Sequence, residues 1–214
     1  ESSAGTFRSR KLIVAIPPTL AKKIEFQPPL PEAHQKLLDG FVMGAVIKVI
    51  AIYPTPFWRQ AGLSGEILSH SNALRLAFDA SPTADSPAEA SPEGNPSGKF
   101  GAIVGFLLGD SARQWSQRSE EALQAMVVGE LVRYLGMRAA TPIAFLQQNW
   151  ITESWSGGGY AAHLPPGILQ MHGASLRQPC GDIHWAGTET AIHGMGYMDG
   201  AVEAGERAAN EILD

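Results

Sequence analysis

One pattern in the sequence carries chemistry in its spacing. A short apolar run ends in small residues, passes through glycines and opens a helix: Ile183-His184-Trp185-Ala186-Gly187-Thr188-Glu189-Thr190, then Gly196-Tyr197-Met198-Asp199-Gly200-Ala201. A strand feeding a helix through such a turn exposes unpaired N–H groups at the positive end of a dipole, which suits an anion or an electron-rich carbonyl. Small residues at Ala201, Ala204, Gly205 and Ala208 let that helix approach a sheet or a cofactor closely. The same pattern serves a tightly packed strand-turn-helix without a ligand, and the residues alone leave both readings open. Lys48, in the middle of an apolar run, reads by itself as a lysine whose ammonium snorkels to water. Tyr160 and Tyr197 read by themselves as core with a hydrogen-bonded hydroxyl. His193 is either a polar cavity residue or a satisfied structural histidine. No nucleophilic serine or cysteine motif supports a hydrolase. No Cys/His cluster has the spacing of a closed zinc site, and the single cysteine, Cys180, cannot form an internal disulfide.

The elements that must position these residues follow from periodicity and punctuation. Residues 11–16 form a β-branched apolar run closed by Pro17-Pro18, which predicts a buried strand. After Pro28-Pro29-Leu30-Pro31, residues 32–38 suit a short helix, and residues 45–53 a central strand with Lys48 at its middle. Residues 100–108 predict another strand. Ser119 followed by Glu120 and Glu121 is a helix cap with acidic residues in the first turn. That helix places Leu123, Met126, Val127, Leu131 and Leu135 on one face as core and ends near Gly136. Residues 149–167, rich in Trp, Tyr, Gly and Pro, suit a loop packed against something flat. Residues 183–187 predict a short strand and residues 197–213 a last helix. Residues 79–99, dense in Ser, Pro, Ala, Asp and Gly, predict a mobile surface loop. There is no internal repeat.

Composition narrows the partners. The 214 residues are 44% hydrophobic, enough for a real core, and the net charge of −5 offers no basic face for nucleic acid. A small-molecule partner is expected. No apolar run is long enough to span a bilayer and no signal-peptide series opens the chain, so the expectation is a cytoplasmic protein.

Taken together, the stretch from Ile183 to Thr190 and from Gly196 to Ala209 is very similar to the C-terminal flavin-binding signature of the monoamine oxidase family. It is joined in the same order by Ile16-Pro17-Pro18, Gly44-Ala45-Val46-Ile47-Lys48, Pro56-Phe57-Trp58-Arg59, Pro92-Glu93-Gly94-Asn95, Asn149-Trp150, Ser156-Gly157-Gly158-Gly159-Tyr160, Pro165-Pro166-Gly167-Ile168-Leu169 and Leu176-Arg177-Gln178-Pro179. The resemblance covers nearly the whole chain. It implies an α/β fold: part of an FAD-binding, Rossmann-like amine oxidase domain (residues 1–37 and 150–214) and part of a mixed-sheet substrate domain (residues 38–149). It implies FAD-dependent oxidation of amines to imines, which water hydrolyses to aldehydes, with O2 reduced to hydrogen peroxide.

What the family implies falls on particular residues. Lys48 matches the lysine that holds a water against flavin N5, and Tyr160 and Tyr197 match the two tyrosines that cage the amine before the ring. Trp150 matches a tryptophan beside the flavin, and Trp155 stands where the family often has tyrosine. Gly187, Thr188, Glu189, Gly196, Tyr197 and Met198 match positions along the ribityl, phosphate and pyrimidine side, with Gly200 and Ala201 keeping that approach clear. Gly159 stands where animal monoamine oxidases carry a cysteine joined to FAD, which implies a non-covalent flavin. His193-Gly194-Met195 departs from the usual residues before Gly196 and alters the cavity wall. The G-x-G-x-x-G turn for the ADP half of FAD does not occur in these residues. The chain therefore resembles the C-terminal part of such an enzyme, expected to bind FAD poorly alone and to be covered by the N-terminal part or by self-association. The alternatives are a cofactor-free, catalytically silent fragment or interaction module, and an oxidase for polyamines or L-amino acids. For an amino acid substrate the sequence identifies no arginine to clamp the carboxylate.

Overall fold

A computed structural model of the chain describes residues 5–82 and 100–213. It opens with β1 (Leu12–Val14), α1 (Pro18–Ala21), α2 (Glu32–Gly40) and β2 (Val42–Met43). There follow β3 (Val46–Tyr53), α3 (Phe57–Gln60), β4 (Ile67–Leu68), β5 (Leu76–Asp79), β6 (Gly101–Leu108), α4 (Asp110–Trp115), α5 (Glu120–Leu135) and β7 (Ala144–Asn149). The chain closes with β8 (Ala162–His163), α6 (Ile168–His172), β9 (Ile183–Trp185) and α7 (Met198–Leu213). It divides into two compact units, one of Glu1–Gly44 with Ser154–Asp214 and one of Ala45–Glu153.

In the discontinuous unit the strand expected near residue 11 finds its partner at the other end of the chain. β1 pairs in parallel with β9, Val14 opposite Trp185, and α2 packs on the pair through Leu38 while Leu30 and Ala21 close the cluster. A second pairing, β2 antiparallel to β8, sets Met43 opposite Ala162. α7 lies on β9 with Ala204 and Ala208 fully buried. Of the small residues on that helix, these two and Gly200 form the seam, whereas Ala201 is exposed and a side chain at Gly205 would meet nothing.

The continuous unit is built on a five-stranded antiparallel sheet ordered β4-β5-β6-β3-β7. Alternation along β3 sends Ile47, Val49, Ala51 and Tyr53 to one face, where they share a core with Leu123, Val127, Leu131 and Leu135 of α5. Each of those four α5 side chains contributes about 1.5–3 kcal/mol by leaving water. Met126, expected on the same stripe, is only half-buried against it. The cap is as expected: the Ser119 hydroxyl accepts from the Ala122 amide at 3.3 Å, and Gly136 ends the helix with φ +88°. Lys48, Ile50 and Ile52 face the other way.

Residues 79 and 80, expected to open a mobile loop, still belong to the sheet ladder. Asp79 is the last residue of β5, and the Ala80 amide still donates to the Ala102 carbonyl at 2.8 Å, continuing the ladder with β6. Residues 83–99 of that stretch lie outside the described residues. Among the described residues no helix is long and apolar enough to cross a membrane.

Candidate functional site

The residues singled out by sequence fall in both units. Lys48 and Trp150 belong to the continuous one. Lys48 sits mid-strand, half-buried, with Phe106 and Gln148 as its register partners. No ion pair among the described residues involves its ammonium. Trp150 follows Gln148 by two residues and opens a 3₁₀ turn, Trp150–Thr152, which the Asn149 side chain caps by accepting from the Ile151 amide at 3.1 Å.

The discontinuous unit holds the others. The turn before Tyr160 is pressed onto β2: the Gly159 amide donates to the Gly44 carbonyl at 2.9 Å, and a side chain at Gly44 would collide with the Gly159 carbonyl. The Gly159–Tyr160 peptide is cis. Partial burial raises the Tyr160 phenol above its ordinary pKa, although its residue is 65% exposed. Glu189, read as a cofactor-side residue, is buried and accepts from the Ala162 amide at 2.9 Å, tying the segment after Tyr160 to the turn after β9. A Cβ added to Gly196 would come within 3.8 Å of the Ala161 methyl. The segments carrying Tyr160 and Tyr197 therefore adjoin.

Thr188 is also spent inside the chain. Its hydroxyl accepts from the Gly196 amide at 2.7 Å and donates to the Tyr197 carbonyl at 2.9 Å, closing the loop between β9 and α7. Gly187 (φ +95°) and Gly196 (φ +88°) take the left-handed backbone that these two bends require. The resemblance has Gly200 keep an approach clear, whereas a Cβ there would strike the Gly194 carbonyl, so this glycine faces the loop itself.

What remains turned outward is a set of large side chains: Trp155 85%, Tyr197 74% and Met198 86% exposed, with Tyr160. Tyr197 and Met198 stand at the start of α7, where backbone acceptors exist for the Tyr197 and Ala201 amides, on Gly194 and Tyr197, but none among the described residues for Met198 and Asp199. An exposed aromatic face beside open amides can take a flat ring with an electron-rich edge. Among the described residues no group of His, Cys, Asp and Glu could hold a metal.

Sequence reasoning gave no role to the charged residues that fix this loop. Arg177 donates to the Thr190 carbonyl at 2.8 Å and the Ala191 carbonyl at 2.7 Å. Glu203 accepts from the Ile192 and His193 amides, and those two bonds hold its carboxyl below the usual range. Arg207 donates to the Trp185 carbonyl at 2.6 Å and pairs with Glu211, which also meets the buried His184 at 2.9 Å. Burial pushes Glu211 up, but the hydrogen bonds from His184 and Arg207 outweigh it and hold the pKa low. His193 is exposed and lies 3.4 Å from Glu203. Apart from the Arg207–Glu211 pair, four residues apart on α7, these contacts join different elements, and residue types alone could not reveal them.

Comparison with known proteins identifies the family and the fold. The family model described as flavin containing amine oxidoreductase matches residues 2–213. The chain is 40% identical over 212 residues to the probable flavin-containing monoamine oxidase A of Dictyostelium discoideum, covering 99% of this chain and 44% of that protein. It is 41% identical over 208 residues to the flavin-containing amine oxidase B of Homo sapiens, covering 97% of this chain and 38% of that protein. A solved structure of wild-type putrescine oxidase bound to putrescine superposes with a TM-score of 0.83 at 34% identity, over 95% of this chain and 42% of that one. The fold is thus α/β, with the Rossmann-like and mixed-sheet elements of that architecture, and the chain spans about two-fifths of the length of these relatives.

Proposed function

The chain belongs to the family of flavin-containing amine oxidoreductases, and from that premise we propose that it supplies the C-terminal part of an FAD-dependent amine oxidase. The observation that carries the reading is the exposed pair Tyr197 and Met198 at the amide-bearing start of α7, with the exposed Tyr160 on the adjoining segment. FAD, when bound, supplies the two-electron acceptor for oxidation of the amine to an imine, and dioxygen takes those electrons to hydrogen peroxide.

The chain's own residues then divide the work. Tyr160 and Tyr197 orient the neutral amine between two aromatic faces and exclude water from it. Lys48 holds a water by its ammonium for the reacting edge of the flavin. Trp150, Trp155 and Gly159 line the ring, and the backbone around Gly187, Thr188, Glu189, Gly196, Met198 and Ala201 follows the rest of the cofactor. The α7 N-terminus would favour negative charge on a flavin bound beside it. With glycine at 159 and the only cysteine at 180, no thiol is available there for a covalent link. A flavin bound here would be held without a thioether at 159, and these residues contain no G-x-G-x-x-G turn to hold its ADP half.

Two classes of amine are candidates. A primary monoamine is favoured by the likeness to monoamine oxidases, and a diamine by the likeness to putrescine oxidase. The test is direct: purify the native protein, record its absorbance in the flavin bands, precipitate it with acid, and add benzylamine, putrescine or an L-amino acid anaerobically to a second sample. Yellow protein that releases FAD to the supernatant and is bleached by an amine supports the proposal. A colourless protein, or flavin that no amine bleaches, overturns it in favour of a catalytically silent module.

A further inference from the structure

The segment from Gly187 to Tyr197 carries much of the proposed flavin contact, yet its regular structure is a single 3₁₀ turn, Thr188–Thr190. Side chains must therefore fix it. Arg177, at the end of the 3₁₀ helix Gly173–Arg177, reaches the carbonyls of Thr190 and Ala191 with Nε and Nη2. Glu203, in the second turn of α7, takes the amides of Ile192 and His193 on its two carboxylate oxygens at 2.8 and 3.0 Å. A cation grips two carbonyls and an anion grips the next two amides, so four consecutive residues are held from opposite sides by charged forks. Such charge-assisted bonds are roughly twice as strong as neutral ones.

The grip is transmitted. Gly194 follows directly, its carbonyl accepts the Tyr197 amide at 2.9 Å, and it rests against Gly200 where no Cβ fits. The position of residues 190–193 thus sets where Tyr197 and the first turn of α7 stand. We propose that Arg177 and Glu203 are positioning residues for the flavin site, an inference resting on the function proposed above: they tune the bound flavin without touching it.

The experiment uses the native FAD-loaded protein with Arg177→Lys and Glu203→Gln, the unsubstituted protein alongside. A single ammonium cannot serve both carbonyls in the guanidinium's geometry, and glutamine's amide turns a donor toward an amide. Far-ultraviolet circular dichroism establishes folding. Amide hydrogen exchange at Ile192 and His193 reads the clamp itself. Visible-band circular dichroism and the midpoint potential by dye equilibration read the flavin, and neither requires an amine.

In both variants we expect altered flavin dichroism and about a tenfold change in the ratio of affinities for oxidised and reduced flavin, which for a two-electron couple is about 30 mV. Exchange at Ile192 and His193 speeds up in Glu203→Gln, and Glu203→Asp, which keeps the charge, recovers part of the change. Folded, FAD-loaded variants with unchanged dichroism and potential overturn the inference while leaving the proposed function standing. An unsubstituted protein that takes up no FAD overturns both, a distinguishable result.

Discussion

Lys48 is the residue whose place demands an explanation beyond packing. It lies half-buried on a strand face shared with Ile50 and Ile52, and no ion pair among the described residues compensates its charge. The stem of such a lysine packs on the apolar face while its ammonium reaches outward, where the proposed site can use the charge. Lys48→Met keeps the apolar stem and removes the charge. We expect an unchanged melting temperature and reoxidation of the reduced flavin by O2 slowed roughly 10- to 100-fold, read by stopped-flow mixing with oxygenated buffer. Unaltered reoxidation together with unaltered reduction by amine would remove Lys48 from the chemistry. For the tyrosines the ring matters more than the hydroxyl if they form a cage. Tyr160→Phe and Tyr197→Phe should each cost less than about threefold in kcat/KM, whereas Tyr197→Leu should cost about tenfold, the scale of one aromatic contact. If phenylalanine is as damaging as leucine, the hydroxyls carry the function and the cage does not.

At the scale of the element, the loop between β9 and α7 depends on charge as well as shape. The Ile192 and His193 amides hold the Glu203 carboxyl below its ordinary pKa, so the anion's contribution is fully present above the unfolded value of about 4.3. It is lost as pH falls through the lower folded value. The amide proton shifts of Ile192 and His193 should titrate with a midpoint below that of an ordinary glutamate and stay flat in Glu203→Gln; a midpoint at or above the ordinary value contradicts the bond. Gly200→Ala tests the loop by sterics, since the added Cβ meets the Gly194 backbone, which cannot swing aside as a side chain would. Lower thermal stability with loss of bound FAD is expected, and full FAD occupancy at an unchanged melting temperature would count against the close approach. Elements with strong local signals were legible in the sequence: β3 and β6 from their β-branched runs, α5 from Ser119 and its apolar stripe, α7 from its small-residue face. β7 was not, because Ala144, Leu146 and Gln148 alternate with Phe145, Gln147 and Asn149 without separating apolar from polar. Nor were the forks of Arg177 and Glu203, whose partners are far along the chain and are backbone atoms that any residue supplies.

The molecule as a whole leaves apolar surface uncovered. The sheet of the continuous unit has two faces, and among the described residues α5 and its neighbours fill one of them. The other carries Ile50 and Ile52 beside Val104 and Phe106, with Leu76 and Phe78 across β5 and Leu146 across β7; Leu146 remains 54% exposed. The discontinuous unit adds Ile192, Tyr197, Met198 and Val202, each more than half exposed. Contiguous apolar faces of this kind mark places that another surface covers, and the relatives carry more than twice this length of chain. Residues 1–214 expressed alone should therefore self-associate, eluting well above the size of a single chain and holding that size on dilution into the low micromolar range. Phe78→Thr with Leu146→Lys should shift elution toward the monomer, because both positions are already solvent-facing in β5 and β7 and neither belongs to the buried core cluster. A compact, dilution-stable monomer of the unsubstituted chain would show instead that these faces tolerate water, and the requirement for a covering partner would fall with it.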